Sequence, residues 1–149
     1  MKKIVTWVVV VDHQEAHAFA NDGPGRGLQP VAGLSFRTHL KAGRDIMSDK
    51  PGRSFESGSA ARHAVEPKTE PHREAGRRFI NRVVDALKAA SEKNEFDRLV
   101  VIAPPRALGE FRKLLPAPLK GKVVGETAED LTKASRAAIE EHVGRFIAV

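Results

Sequence analysis

Two kinds of hydrophobic pattern alternate along this 149-residue chain, separated by one long stretch that has neither. Near-continuous apolar runs at residues 4–12 and 97–103 predict strands that are buried on both faces. The first run follows two lysines, as in a signal peptide, but the eight mostly β-branched residues at 4–11 favour a strand and no targeting signal. Both segments are therefore expected at the centre of a sheet.

Two further strands are predicted around short turns. Residues 15–21 alternate alanine with larger side chains, and a His13-Gln14 turn would join this strand to the first as a hairpin. The glycines of residues 23–27 precede a strand from Leu28 to Phe36, so they predict a turn; a phosphate-binding glycine loop would precede a helix. Pro30 confines that third strand to a sheet edge or a bulge.

Helical periodicity dominates the second half of the chain. Pro71 is predicted to open a helix that reaches about Asn94, with one apolar stripe on its surface. The stripe consists of Ala75, Phe79, Ile80, Val83, Val84, Leu87 and Ala90. A helix from Pro105 to about Leu115, a strand at 122–127 and a helix from Thr132 to about Ile147, with Thr132 as its N-cap, are predicted to follow.

The order of these elements predicts the fold class. Three antiparallel strands followed by alternating helices and strands indicate a single α/β domain over residues 1–149 with a mixed five-stranded sheet. Right-handed crossovers favour the strand order 3-2-1-4-5, with helices on both faces and the strands from Ile4 and Leu99 parallel neighbours. This is a ribonuclease H-like arrangement.

The stretch at about 37–70 has no hydrophobic period, and loops this long are functional or disordered. Residues 37–82 hold eleven Lys/Arg against six Asp/Glu, which is most of the net charge of +6 and favours a polyanionic partner. The candidate RNA or anion contacts are Arg53, Ser54, Phe55, Arg62, His63, Arg73 and Arg106. Internal pairing of Arg53 and His63 with acidic residues of the loop, or a solvated basic surface, is the structural alternative.

Arg106 is a candidate for a separate reason. It follows Pro104-Pro105 at the carboxyl end of a predicted parallel strand, where ligands gather in open α/β sheets and a helix N-terminus offers free N–H groups. Its structural alternative is a helix-start signal followed by a surface arginine.

Catalytic patterns are weak in this sequence. A metal nuclease needs several carboxylates that converge on its metal ions. Asp12 lies at the end of its strand rather than near the middle, and Arg106 lies where a second carboxylate would be required. His13 and His17 are four residues apart on a strand-turn segment, where they would not share a face, and cysteine is absent. The serines near His63 and Glu66 form no nucleophile elbow. We therefore predict no catalytic residue, metal or cofactor, with an undetected hydrolase as an open alternative.

Several motifs resemble one bacterial family, named "protein required for attachment to host cells". The residues that carry the resemblance are Trp7-Val8, Asp49-Lys50-Pro51-Gly52-Arg53-Ser54-Phe55, Arg62-His63-Ala64 with Glu66-Pro67, Phe96-Asp97-Arg98-Leu99-Val100, Ala103-Pro104-Pro105, Leu108-Gly109 and Asp130-Leu131-Thr132. They span essentially the whole chain. The family in turn resembles the ribonuclease H-like middle domain of archaeal and eukaryotic peptide release factors.

In those factors, the loop before the long helix carries Gly-Gly-Gln and enters the ribosomal peptidyl-transferase centre. The corresponding residues here, Ser57-Gly58-Ser59-Ala60-Ala61-Arg62, keep one glycine and lack the glutamine. The resemblance therefore implies contact with RNA rather than peptidyl-tRNA hydrolysis.

These observations predict a non-enzymatic, cytoplasmic protein whose basic loop binds the ribosome or another structured RNA. Arg53, Arg62, His63 and Arg73 would contact phosphates and Phe55 would stack on a base. The alternative is a factor for attachment to host cells or the envelope that acts through protein or polysaccharide contacts, as the family name implies. No segment approaches the 18 or more apolar residues of a membrane span.

Overall fold

The computed structural model describes residues 3–38 and 65–149, with the backbone alone for residues 65–70. Five strands and four helices make up the described chain. They are β1 (Thr6–Val11), β2 (Glu15–Asn21), β3 (Gln29–Arg37), α1 (Val65–Glu92), β4 (Arg98–Ala103), α2 (Pro105–Leu114), α3 (Ala117–Lys120), β5 (Val123–Ala128) and α4 (Arg136–Val143).

The strands form one mixed sheet in the order β3-β2-β1-β4-β5. β1 is antiparallel to β2, which is antiparallel to β3, whereas β4 is parallel to both β1 and β5. At the centre, Val8 lies opposite Phe19 on one side and Val100 on the other. The predicted fold class, strand order and parallel pairing of the first and fourth strands are confirmed.

Both faces of the central strands are covered, which explains their continuous apolar sequence. Trp7, Val9 and Val11 pack with α1 and α2, while Val8 and Val10 pack with α4. Successive side chains of a strand point to opposite faces, so a strand buried on both sides is apolar at nearly every position. The sheet thus carries a large hydrophobic core on the α1 side and a smaller one on the α4 side.

The long helix α1 has the predicted apolar stripe, but it begins earlier than predicted. Six stripe residues from Phe79 to Ala90 are buried, whereas Ala75 is half-buried. The helix starts at Val65 and contains Pro71 in its interior, so the prediction that Pro71 opens it was wrong. A proline is tolerated in a first helical turn because its missing N–H needs no intrahelical partner, and here that position is taken by Pro67.

The last helix also differs from the prediction. α4 extends from Arg136 to Val143, and its N-cap is Ser135, whose hydroxyl accepts a hydrogen bond from the N–H of Ala138. Thr132, the predicted cap, instead donates its hydroxyl to Asp130 and lies 3.3 Å from a carboxylate oxygen of Asp12. The one-turn helix α3 was not predicted, because four residues are too few to show a helical period.

The glycine turn and the edge strand agree with the sequence. Gly23, Gly25 and Gly27 all have positive φ, and the chain continues into β3 rather than into a helix. β3 lies at the sheet edge, and its pairing with β2 shifts register between His17 and Phe19, next to Pro30. None of the helices in the described part of the chain combines the length and apolar character required to span a bilayer.

Candidate functional site

Two of the seven predicted site residues lie in the described part of the chain. Arg73 is exposed on α1, and Arg106 is exposed in the first turn of α2. The other five, Arg53, Ser54, Phe55, Arg62 and His63, lie outside the described residues. The site is therefore built here from the surface around Arg73 and Arg106.

The turn between β1 and β2 positions a histidine at this surface. The carboxylate of Asp12 accepts hydrogen bonds from the N–H groups of Gln14 and Glu15 at 2.7 and 2.8 Å, and its own N–H donates to the carbonyl of Glu15 at 2.9 Å. These bonds fix a tight Asx-type turn with His13 at its tip. The carboxylate of Asp12 therefore stabilises the hairpin turn. In a metal nuclease it would have to bind a metal ion instead.

His13 connects the hairpin to helices α1 and α2. Its ring lies against Gly76, where an added Cβ would come within 2.9 Å of the ring. Its Nε2 is hydrogen-bonded to Glu110 of α2 at 2.6 Å. The second oxygen of Glu110 lies 3.6 Å from Nε of Arg106, one turn earlier on the same helix. The predicted residue Arg106 is therefore joined to His13 through Glu110.

A cleft opens beside this pair, between α1 and α2. It has a volume of about 370 Å³, and we call it the α1–α2 cleft. The described residues that line it are Arg77, Arg78 and Asn81 from α1 with Glu110, Lys113 and Leu114 from α2. Arg73 lies one turn before Arg77 on α1, so both described site residues of the prediction flank the cleft.

The cleft and its flanks carry more cations than carboxylates. Among the residues whose side chains the structure describes, there are five cations, Arg73, Arg77, Arg78, Arg106 and Lys113, and two carboxylates, Glu74 and Glu110. Arg77 donates to Glu74 at 2.8 Å, which lowers the pKa of that exposed carboxyl below its ordinary value, and Arg78 lies 3.8 Å from it. Within the described chain, Arg73 and Lys113 form no ion pair. The surface therefore has cationic groups to offer an anionic ligand.

A second polar cluster lies on the other face of the sheet, around the buried carboxylate of Glu15. This Glu15 cluster comprises Glu15, bonded to His17 at 2.8 Å, to Arg37 at 2.9 Å and to Lys133 at 3.0 Å. The hydrogen bond from His17 is the main cause that lowers the pKa of Glu15 to about 2; the two cations add to it and burial opposes it.

His17 also bonds Ser35 of β3 at 2.8 Å, which gives a serine–histidine–glutamate chain. Hydrolases of that type use the acid to stabilise an imidazolium during the reaction. Here Arg37 and Lys133 already neutralise the carboxylate, and Ser35 is exposed on the edge strand. We interpret the chain as a link between β2, β3 and the segment before α4.

No metal centre forms in the described part of the chain, where no group of three His, Asp or Glu side chains is placed to hold an ion. His13 and His17, four residues apart in sequence, have separate partners on opposite faces of the sheet. The two histidines therefore do not share a face.

The sequence did not single out most of the cleft. Arg77, Arg78, Glu110 and Lys113 have the pattern of ordinary polar residues on the exposed sides of two helices. The spacing of Arg106, Glu110 and Lys113 at four and three residues places them along one side of α2, which was the available signal.

The family model described as "Protein required for attachment to host cells" matches residues 7–143. No curated protein matches the chain significantly. Two similar solved structures are described as an archaeal protein and as an archaeal translation termination factor.

The first of these structures is 15% identical with a TM-score of 0.45, and the alignment covers 95% of this chain and 37% of the other. The termination factor is 14% identical with a TM-score of 0.46, and 95% and 38% of the two chains are covered. This chain thus spans less than two fifths of either structure's length. At these values neither similarity carries an argument about function.

Proposed function

The chain belongs to the family of proteins required for attachment to host cells, and we propose that it acts as a non-enzymatic binder of structured RNA. The binding surface comprises the α1–α2 cleft, its flanking residues Arg73 and Arg106, and the basic segment that joins β3 to α1. Ribosomal RNA is the proposed class of target and the cytoplasm the proposed location. The absence of cysteine from the sequence agrees with that location.

The observation that carries this proposal is the excess of exposed cations around the cleft. Within the described part of the chain, five Lys or Arg residues and two carboxylates surround the cleft, and the side chains of Arg78 and Arg106 are 67% and 54% exposed. Exposed guanidinium groups bind phosphate oxygens bidentately and release condensed counterions from a nucleic acid. A concave surface with this charge therefore favours a polyanion over a neutral or basic partner.

The segment before α1 extends the same argument in sequence. We propose Arg53, Arg62 and His63 as further phosphate contacts, Ser54 as a hydrogen-bond donor to the backbone of the RNA, and Phe55 as a stacking group. They precede α1, the helix on which Arg73, Arg77 and Arg78 lie. They therefore add cationic groups to the part of the chain that leads into this helix.

Binding is proposed rather than catalysis because of what surrounds His13. Its hydrogen-bonding partner is Glu110, so the pair has an acid and a base but the described residues bring no hydroxyl nucleophile into it. A ligand bound in the cleft would meet cationic groups, an amide and one carboxylate, which are recognition groups.

The test is a titration of fluorescently labelled RNA hairpins at two salt concentrations. Arg78→Ala and Lys113→Ala should each weaken binding and reduce the slope of log K against log salt by about one per lost phosphate contact. Arg78→Lys should weaken binding less than Arg78→Ala, because the charge remains but the fork is lost. Lys88→Ala, an exposed cation of α1 outside the cleft lining, is the matched control.

Arg53→Ala and Arg62→Ala belong in the same titration, beside melting curves. Loss of RNA affinity with an unchanged melting temperature would support their role in binding. A lowered melting temperature with unchanged RNA affinity would assign them to internal pairing instead.

The family description favours a second candidate, attachment to host cells through protein or polysaccharide contacts. An acidic polysaccharide offered in the same titration separates the two. If the polysaccharide binds more tightly than RNA at equal salt, and the cleft variants weaken its binding as much as they weaken RNA binding, attachment through a polysaccharide replaces RNA binding as the function of this surface.

A further inference from the structure

We infer that the α1–α2 cleft accommodates an unpaired guanine nucleotide, with Glu110 reading the base. The inference rests on the proposed function, because it names the part of an RNA that enters this surface. It begins with the size of the cleft. A volume of about 370 Å³ lies in the range of small-ligand sites, and it suits a single nucleotide rather than a duplex.

The lining divides into groups for a phosphate and groups for a base. Arg77, Arg78 and Lys113 are cations that attract a phosphate. Glu110 would repel a phosphate, yet it lies in the same cleft. A carboxylate among cations is useful when the ligand presents N–H donors as well as negative charge. In a nucleotide the phosphate carries the negative charge, and an unpaired base presents N–H donors along its Watson–Crick edge.

Glu110 has acceptor capacity left for such donors. One of its oxygens bonds His13 at 2.6 Å, and the other lies 3.6 Å from Arg106, beyond hydrogen-bond distance. A carboxylate has about four lone-pair sites, so each oxygen can accept a further bond. His13 and Arg106 act as positioning residues, because they hold the carboxylate in place without occupying it.

Guanine is the base that fits this acceptor pair. Its N1–H and N2–H donors are adjacent and parallel, so a carboxylate accepts both at once. Adenine and cytosine each offer a single exocyclic amino group on that edge, and uracil a single N3–H. Asn81 on the opposite helix supplies an amide donor and acceptor, and Leu114, 37% exposed, supplies an apolar surface for the ring.

The first experiment uses the full-length protein and four ribonucleoside 5′-monophosphates, with ribose 5-phosphate as the base-free probe. Binding is followed by NMR chemical shifts or calorimetry. We expect guanosine monophosphate to bind on the order of tenfold more tightly than the other three nucleotides. Equal affinity for all four, binding of ribose 5-phosphate as tight as that of guanosine monophosphate, or no detectable binding would overturn the inference.

Substitution of Glu110 separates base reading from simple attraction. Glu110→Gln should abolish the guanine preference while the affinity for the other nucleotides stays constant or rises, because a negative charge has been removed. Glu126→Gln is the matched control, since Glu126 is also paired with an arginine, Arg112, but lies outside the lining. If Glu110→Gln raises the affinity for guanosine monophosphate as much as the affinity for the other nucleotides, the cleft is only an electrostatic site and the inference fails.

Two RNA hairpins that differ only in one loop base, guanine or adenine, keep this inference distinct from the proposed function. A preference for the guanine loop that Glu110→Gln removes supports both. Salt-dependent binding of both hairpins with equal affinity overturns the guanine site and leaves RNA binding intact. Absence of binding to either hairpin overturns both.

Discussion

The β1–β2 hairpin contributes Glu15 to the Glu15 cluster and, two residues earlier, contacts Glu110 of the α1–α2 cleft through His13; the two regions differ in charge balance. Glu15 is 5% exposed, and its carboxylate accepts hydrogen bonds from His17, Arg37 and Lys133 on the α4 side of the sheet. His13 points to the α1 side, where the cations outnumber the carboxylates. The first cluster satisfies its buried charge internally and serves stability, whereas the second leaves exposed cations that a ligand can neutralise.

This contrast has an energetic basis. A buried carboxylate without partners costs several kcal/mol, so its neighbours are constrained to pair with it. Exposed arginines have no such constraint, because water solvates them and their ion pairs contribute little. Substitutions should therefore affect folding in one region and ligand binding in the other.

The largest expected effect lies beneath the cleft, where α1 packs on the sheet. Val83 is 2% exposed, so Val83→Asp would place an unpaired charge in the core and cost several kcal/mol, enough to unfold a marginally stable domain. Urea denaturation followed by circular dichroism measures it. Because α1 carries three residues of the cleft lining, this substitution should abolish RNA binding together with folding.

Ala89→Asp is the control for that substitution, since Ala89 is exposed on the same helix. It should cost about 0.7 kcal/mol at most, through helix propensity alone. A Val83→Asp protein that melts cooperatively near the wild-type temperature would show that α1 does not pack as described.

The elements and the core were predictable because their signals are local. The stripe from Phe79 to Ala90 and the run from Leu99 to Ala103 show their periods within a few residues of sequence, and both proved buried. The boundary at Val65 was missed because Pro71 gave a stronger start signal than the less periodic residues before it.

The cleft was less predictable because its contacts are remote in sequence. His13 and Glu110 are 97 residues apart, and Glu15 and Lys133 are 118 apart. Nothing in the sequence around Glu15 distinguishes a buried, paired carboxylate from a solvated one. The function of a charged residue depends on which partners the fold brings to it, and a hydrophobic pattern does not record that.

The next largest effect concerns the Glu15 cluster itself. Glu15→Gln should lower the free energy of unfolding at pH 7 by about 2 kcal/mol, because it removes a charged acceptor from three donors. It should leave RNA affinity unchanged, since the cluster lies on the opposite face from the cleft. Glu92→Gln, at an exposed position near the end of α1, should change neither quantity.

The pH dependence gives a second measure of the same residue. The pKa of Glu15 is about 2 in the folded protein and near 4.5 when unfolded, so the unfolded state binds the proton more readily. Its contribution to stability is complete above about pH 4.5 and is lost as the pH falls toward 2. Stability of Glu15→Gln should therefore fall less steeply than that of the wild type between these values, and parallel profiles would contradict the assignment.

A smaller effect is expected where the ring of His13 lies on Gly76 of α1. Replacing a glycine inside a helix by alanine ordinarily stabilises a protein by about 1 kcal/mol. At Gly109 of α2 nothing lies within 4 Å of an added Cβ, so Gly109→Ala should show that gain. At Gly76 the Cβ would meet the His13 ring at 2.9 Å, so Gly76→Ala should show no gain or a loss.

Both variants are measured by urea denaturation, and the ring of His13 is followed by NMR. Gly76→Ala should shift the His13 resonances and Gly109→Ala should not. An equal gain in stability for both variants would mean that His13 does not need the glycine, and the link from the hairpin to Glu110 would lose its support.

The smallest expected effect is at the rim of the cleft, where Glu74 accepts from Arg77 at 2.8 Å and lies 3.8 Å from Arg78. Glu74→Gln removes a carboxylate that competes with RNA phosphates for these arginines, so RNA affinity should rise by about two- to fivefold at low salt. The gain should diminish at high salt, because the pairs are exposed and screened. The melting temperature should stay unchanged, because exposed ion pairs contribute little to stability. Glu92→Gln removes the same charge from the same helix without an arginine partner among the described residues, so an equal gain there would attribute the effect to net charge rather than to the cleft.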